Sequence, residues 1–294
     1  MITAEIDSKI KTVVSNVRNL PTPPIVFHQI QKVINDPGVN AVKVASILAE
    51  DPAMSVKVLR LTNSAFYGLA REIESVKQAV VIIGFEAIKN LVLSASVLDM
   101  FKGKNIDEDY QEKYWRHSLS TGVACRLLAR RLKSRGMVDP DAAFSAGLLH
   151  DVGKMVICCY LPAEYSRFKA ERDKDASSAD FEIEQKILGY NHGQIGGFLA
   201  TQWKIPHKLI NAITYHHDPG QQEEDEPIAY MVNLADYMAK KAFYDESEAH
   251  LVGAAPETAL GYFAVDETTL LELNDGLKEE YNKAETFMQM VGIS

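Results

Sequence analysis

The sequence predicts an all-α fold. Apolar residues recur at helical three- and four-residue spacing through nearly every segment. Starts of the Asp-Pro type, an N-cap followed by proline in the first turn, stand at Asp51-Pro52 and Asp139-Pro140. No Asn-Gly or Asp-Gly pair joins two alternating polar–apolar runs, as a hairpin would require.

Taken in order, Asp51-Pro52 opens a helix with Met54, Val58, Leu61 and Ala65 on one face. Ser75 caps the next, with Val76, Ala79, Val80 and Ile83 as its stripe; Gly84 is expected to end it in the left-handed C′ geometry. Val80–Ile83 is β-branched, but its flanks are helical, so it reads as helix. Phe85, Ile88, Leu91, Val92 and Ala95 carry a stripe to about Phe101. Lys102-Gly103-Lys104-Asn105 is a polar hinge. A long helix follows through Tyr114, His117, Thr121, Ala124, Leu128 and Leu132, and Asp139-Pro140 starts one through Phe144, Leu148 and Leu149. Ser177 or Ser178 starts a helix ending near Gly189, and His192, Ile195, Leu199 and Trp203 mark another. Pro206 and Pro227 open two more, and Asp266 caps a last one carrying Leu270, Leu277 and Met288. The division expected is an N-terminal helical subdomain over 1–105, a helical bundle over 106–245 and a helical tail over 246–294.

Composition narrows the class. The 294 residues are 47% hydrophobic and 24% charged, which is globular rather than disordered. Three cysteines, two of them the adjacent Cys158 and Cys159, cannot frame a disulfide scaffold and fit a reducing, cytoplasmic setting. The N-terminus lacks the apolar core of a signal peptide, and the longest apolar stretches, Ala79–Phe85 and Leu91–Leu98, fall far short of the ~20 residues of a membrane helix. The net charge of −9 speaks against direct nucleic-acid binding, but it is unevenly spread. Residues 1–105 net +3, 106–217 net +1 and 218–294 net −13. The acidic run Glu223–Glu226 reads as a solvated loop.

Six of the eight histidines lie between 117 and 217. His117, His150-Asp151, His192, His216-His217 and Asp236 each sit on or beside an apolar helical face. A charged aspartate there is costly unless paired or bound to a cation. Each residue has an ordinary alternative. His117 could be a hydrogen-bonded core histidine, His150 and His216-His217 favourable charges at helix C-termini, and Asp236 a local hydrogen-bond acceptor. Together they point to one polar centre, built from side chains projecting inward on facing helices, as bundle metal sites are. Imidazole with carboxylate favours Fe, Mn, Zn or Ni over Mg or Ca. His207, His28 and His250 lack this setting.

His117, His150-Asp151-Val152-Gly153-Lys154 and Asp236 resemble the HD superfamily of metal-dependent phosphohydrolases, and His192 with His216-His217 resembles the second-metal ligands of HD-GYP phosphodiesterases. The N-terminal half is similar to a narrower family. Leu20-Pro21-Thr22-Pro23-Pro24, Asp51-Pro52-Ala53-Met54, Leu59 to Gly68 (LRLTNSAFYG) and Ile83-Gly84-Phe85 resemble the HDOD domain, the HD-related output domain of bacterial signalling proteins. The resemblance covers roughly residues 15–245. It implies an HD-like bundle in which His117, His150, Asp151 and Asp236 hold a first metal, and His192, His216 and His217 a second, with Asp151 bridging. It implies two divalent transition ions, iron foremost, which together could clamp a phosphate. No Gly-Tyr-Pro follows His217, and Lys113 stands where a third metal would need a Glu, so a two-metal site is expected.

Asp151 and Lys154 are the candidate catalytic residues; Lys154, one turn past His150, could meet a phosphate oxygen or be a cation at a helix C-terminus. The leading expectation is an output protein with a retained metal centre that acts mainly through a signalling partner. The alternative is a metal-dependent phosphohydrolase or phosphodiesterase acting on a nucleotide or another phosphate-bearing small molecule. No membrane association is expected.

Overall fold

The computed structural model describes residues 4–15, 25–102, 104, 106–132, 138–175, 177–222, 226–246 and 248–290. The described residues are mainly helical and contain no strand. Leu20–Pro24, Gly103 and Asn105 of the hinge, and Glu223–Asp225 of the acidic run lie outside them. The chain divides into two compact units: residues 1–21 with 104–277, and residues 22–103 with 278–294.

The first helix, α1 (Ala4–Ser15), belongs to the former unit and packs on its α12, introduced below. The second unit contains α2 (Ile25–Ile34), α3 (Ala41–Ala49), α4 (Pro52–Thr62), α5 (Val76–Ile83) and α6 (Phe85–Met100). The caps expected from the sequence form. Asp51 accepts from the Met54 amide at 2.9 Å with Pro52 in the first turn, and Ser75 accepts from Gln78 at 3.2 Å. Asn40 caps α3 in the same way. Gly84 has the expected positive φ, but at φ 88°, ψ 165° it lies outside the left-handed helical region, in backbone space that is essentially glycine's alone. The chain turns there by 118° from α5 into α6. Ala87–Leu98 of α6 is buried on all sides, so helical amphipathicity is weak in that stretch.

The LRLTNSAFYG segment owes its shape to Asn63. Its side-chain amide donates to the Ile73 carbonyl (2.8 Å) and its oxygen accepts from the Ile73 amide (2.7 Å). The loop between α4 and α5 is thus closed by one side chain imitating a backbone pair, with Phe66 and Ile73 buried beneath it. Met54, Val58 and Leu61 fill the core, as their spacing predicts.

The other unit holds the histidines. It runs through α7 (Glu108–Arg131), α8 (Pro140–Leu149), α9 (Val152–Tyr160), α10 (Pro162–Arg172), α11 (Asp180–Leu188), α12 (His192–Gln202), α13 (His207–Tyr215), α14 (Pro227–Phe243) and α15 (Glu257–Phe263), followed by α16 (Glu267–Met290), within which the boundary falls after Leu277. Helices α7, α8 and α14 pack on one another, and α12 joins α9 and α13. Leu119, Leu148, Leu149, Leu199, Ile213 and Leu234 are buried between them, each contributing about 1.5–3 kcal/mol. Gly147 lets α8 approach α7, since a Cβ there would lie 2.7 Å from the Thr121 carbonyl oxygen.

Among the described residues, the continuous stretch apolar enough to match a membrane span is Pro140–Tyr160, and 83% of the 18 residues within it that meet the test are buried in this core. That stretch is two helices, α8 and α9, with the break at His150-Asp151. The periodicity does not single out α1, α2, α3, α9, α10 or α15; α10 buries no residue and so carries no apolar stripe.

Candidate metal centre

The centre lies wholly within the histidine-bearing unit. His117 comes from the middle of α7, and His150-Asp151 from the break between α8 and α9. His192 is the first residue of α12, whose N-cap Asn191 accepts from Gln194 at 3.0 Å. His216-His217 follow α13, and the Asn233 side chain of α14 donates to the His216 carbonyl at 2.6 Å. Asp236 comes from the middle of α14. Gly153 permits the convergence: a Cβ there would sit 1.9 Å from the His192 carbonyl oxygen, so only glycine lets α9 and α12 meet at their N-termini.

Asp151 occupies the N-cap position of α9 but makes no side-chain cap hydrogen bond. Its two oxygens face different histidines. Oδ1 lies 3.0 Å from His192 Nε2 and 3.6 Å from His216 Nε2. Oδ2 lies 3.4 Å from His150 Nε2 and 3.7 Å from His117 Nε2. Asp236 Oδ1 completes the second set, 3.0 Å from His117 Nε2 and 3.9 Å from His150 Nε2. His217 Nε2 is 2.8 Å from His192 Nε2, and Phe181 stacks on the His217 ring at 4.1 Å. The ligand-type atoms of Asp151, His192, His216 and His217 lie within 4.8 Å of one another, as do those of His117, His150 and Asp151. All seven metal candidates named from the sequence therefore meet in one place. His207, which stands outside that set, is not in either group.

These atoms approach without satisfying one another. His117 Nε2, Asp151 Oδ1, His216 Nε2 and Asp236 Oδ1 are buried and lack hydrogen-bond geometry to any partner, although several lie within 3–4 Å of each other. Buried polar atoms are ordinarily paired. Buried, unpaired imidazole nitrogens and carboxylate oxygens grouped this closely fit divalent transition ions.

The outer partners fix which atoms face inward. His150 Nδ1 contacts the Gly147 carbonyl at 2.6 Å and His216 Nδ1 the Ile213 carbonyl at 2.9 Å. A carbonyl only accepts, so the proton is on Nδ1 and the Nε2 lone pair is presented. His192 Nδ1 is held instead by Glu184 Oε2 at 2.7 Å. Glu184 is 2% exposed and carries no signal in the sequence apart from lying eight residues before His192.

Burial lowers the pKa of His150 to about 3 and also lowers those of His216 and His217, so all three are neutral at pH 7. Burial acts in the same direction on His192, but Glu184 and Asp151 outweigh it and raise that imidazole to about 9. Burial pushes Asp151 up, yet His150, Lys154 and His192 hold it well below the usual carboxylate range. Asp236 behaves likewise through Lys240 and His117.

Lys154 is not at a helix C-terminus, contrary to one of its two expected readings. It lies in the first turn of α9, where the helix dipole disfavours a cation. It is held by Asp151 Oδ2 at 2.7 Å, with Asp180 Oδ2 3.9 Å away. A cavity of about 420 Å³ opens onto His117, Asp151 and Lys154 and is lined also by Tyr110, Tyr165, Phe168 and Arg172.

An all-helical bundle with an inward-facing histidine–aspartate cluster defines a protein of the HD type. The HDOD domain profile matches residues 20–219, and the chain belongs to the HDOD family. A solved HDOD domain protein of unknown function from Geobacter sulfurreducens is 26% identical, with a TM-score of 0.76 over 96% of this chain and 97% of that one. A Shewanella amazonensis protein described as a candidate phosphohydrolase shares the fold at 23% identity, with a TM-score of 0.73 over 97% of this chain and 98% of that one. An uncharacterized protein of Treponema pallidum is 25% identical over 228 residues, 76% of this chain and 43% of its own length. Ribonuclease Y of Geobacter sulfurreducens is 25% identical over 174 residues, 58% of this chain and 27% of its own. The chain thus spans less than half of the length of these curated relatives.

Proposed function

We propose that this HDOD protein keeps a two-ion HD-type centre that acts on a phosphate-bearing small molecule. The observation that carries the reading is the division of Asp151: one carboxylate oxygen faces His192 and His216, the other His150 and His117. His117, His150 and Asp236 would hold one ion, and His192, His216 and His217 the other, with Asp151 shared. The donor set favours iron, manganese, zinc or nickel. Bound there, such ions supply Lewis-acid polarisation of a phosphoryl group and activation of water.

The chain's own residues would do the rest. Lys154, which lines the cavity, can exchange its contact with Asp151 for a phosphate oxygen while Asp180 stays within reach. The Tyr110 and Tyr165 rings, 5.9 Å apart and edge-to-face, offer a wall for the organic part of the ligand. Arg172 is tied to Asp180 at 3.3 Å, so Asp180 links it to Lys154.

The test is metal analysis of the purified protein followed by a hydrolysis panel of nucleotides, cyclic nucleotides and simple phosphodiesters. Turnover that requires metal and disappears in Asp151→Ala supports the reading; a fully loaded protein inert across the panel overturns it. That second outcome would favour action mainly through a partner protein, for which exposed Val42, Val56 and Val81 on α3, α4 and α5 are the apolar contact candidates.

A further inference from the structure

The two halves of the centre are backed by opposite charges. At the His192 half, Glu184 of α11 uses one oxygen, Oε2, to accept both the His192 main-chain N–H and its Nδ1–H, each at 2.7 Å. His150 and His216 have only a neutral carbonyl in that place. A carboxylate behind an imidazole fixes its tautomer and raises the basicity of the opposite nitrogen. This half presents three imidazoles and one Asp151 oxygen.

At the His117 half the carboxylates are already gripped by ammonium groups. Lys154 lies 2.7 Å from Asp151 Oδ2, and Lys240 lies 2.7 Å from Asp236 Oδ2. Both lysines reach back from one turn further along their own helix. A cation entering this half shares its oxygen donors with two positive charges.

We infer that the two positions are unequal: the His192–His216–His217 position is the tight one, with Glu184 as its positioning residue, and the His117–His150–Asp236 position is the weaker, exchangeable one. The inference rests on the two-ion reading above. It separates a resident ion from one whose occupancy follows the surrounding concentration, so metal supply would regulate the centre at the His117–His150–Asp236 position.

The test is titration of the metal-free full chain with isotopically enriched Cd²⁺, followed by calorimetry and ¹¹³Cd NMR, whose shift distinguishes nitrogen-rich from oxygen-rich surroundings. Two resonances are expected, the nitrogen-rich one filling first. Glu184→Gln keeps the volume of the side chain and removes its charge; it should weaken that resonance's site by about 10–100-fold and leave the other in place. Lys240→Met should tighten the oxygen-rich site alone. Equal affinities, or a Glu184→Gln effect shared by both resonances, overturn the inequality while leaving a two-ion centre. Failure of the wild-type chain to take up any Cd²⁺ overturns the two-ion reading and the inequality with it.

Discussion

Lys154 places its ammonium 2.7 Å from Oδ2 of Asp151, three residues back across the first turn of α9. The contact works against the helix dipole, so it is the aspartate, not the helix, that holds the lysine there. Burial would lower the Lys154 pKa, but Asp151 and Asp180 hold it well above the usual value, and the ion pair persists across the neutral range. Lys154→Met therefore removes the ammonium partner of Asp151 in protein stripped of metal and leaves only imidazoles facing it. The expected loss is about 3 kcal/mol, typical of breaking one side of a buried pair, measured by urea unfolding in chelator. The loss should shrink when metal is restored, and an equal loss in both conditions would contradict the arrangement.

Asp151 is the residue common to both histidine groups. Asp151→Ala is expected to abolish metal content at both positions, whereas His150→Ala should spare the His192 group. Elemental analysis of each variant, purified in parallel with the wild type, distinguishes a shared ligand from two independent clusters.

Gly153 meets the His192 carbonyl where a Cβ would fit at 1.9 Å, a backbone contact that cannot rotate away. Gly153→Ala should destabilise the protein by roughly 3 kcal/mol or more and lower metal affinity by separating α9 from α12. Thermal unfolding together with metal content checks both effects.

Asn63 makes two hydrogen bonds to the Ile73 backbone. Asn63→Ala should cost about 1–3 kcal/mol and speed exchange of the Ile73 amide. Metal content should be unchanged, because the centre lies in the other unit. Hydrogen exchange followed residue by residue reads both the local loosening and its confinement.

Cys158 is half-buried, and a hydrogen bond from Cys159 lowers its thiol to about 7 against the opposing effect of burial, with Tyr165 adding a second bond. Thiolate is the reactive form and grows with pH. The rate of iodoacetamide labelling at Cys158 should therefore rise through half its maximum near pH 7. The same contact, and after it burial, raise Cys159, which should stay unlabelled across that range. Peptide mapping after timed labelling separates the two neighbours.

Much of this was legible in the residues. Asp51, Ser75 and Asp139 cap the helices their positions announce, because a cap is a local event within four residues. Helices α9 and α10 were not legible: α9 continues an apolar run from α8, and α10 shows no buried face. Glu184 was not legible either. Its role depends on α11 crossing the N-terminus of α12, and a glutamate on a helix resembles any solvated one until that packing is known.

By itself the sequence determined the helical class, the family and the chemical kind of the centre, since periodicity, caps and the seven His and Asp residues are properties of the chain. Tertiary structure alone decided how those seven are shared. It assigned one oxygen of Asp151 to each histidine group, set Glu184 behind one half and lysines behind the other, and opened the cavity at His117. The physical reason is that burial makes each of these contacts matter. In water the same charges would be screened, and only the packing of α7, α9, α12 and α14 brings them into a medium where pairing and orientation carry weight.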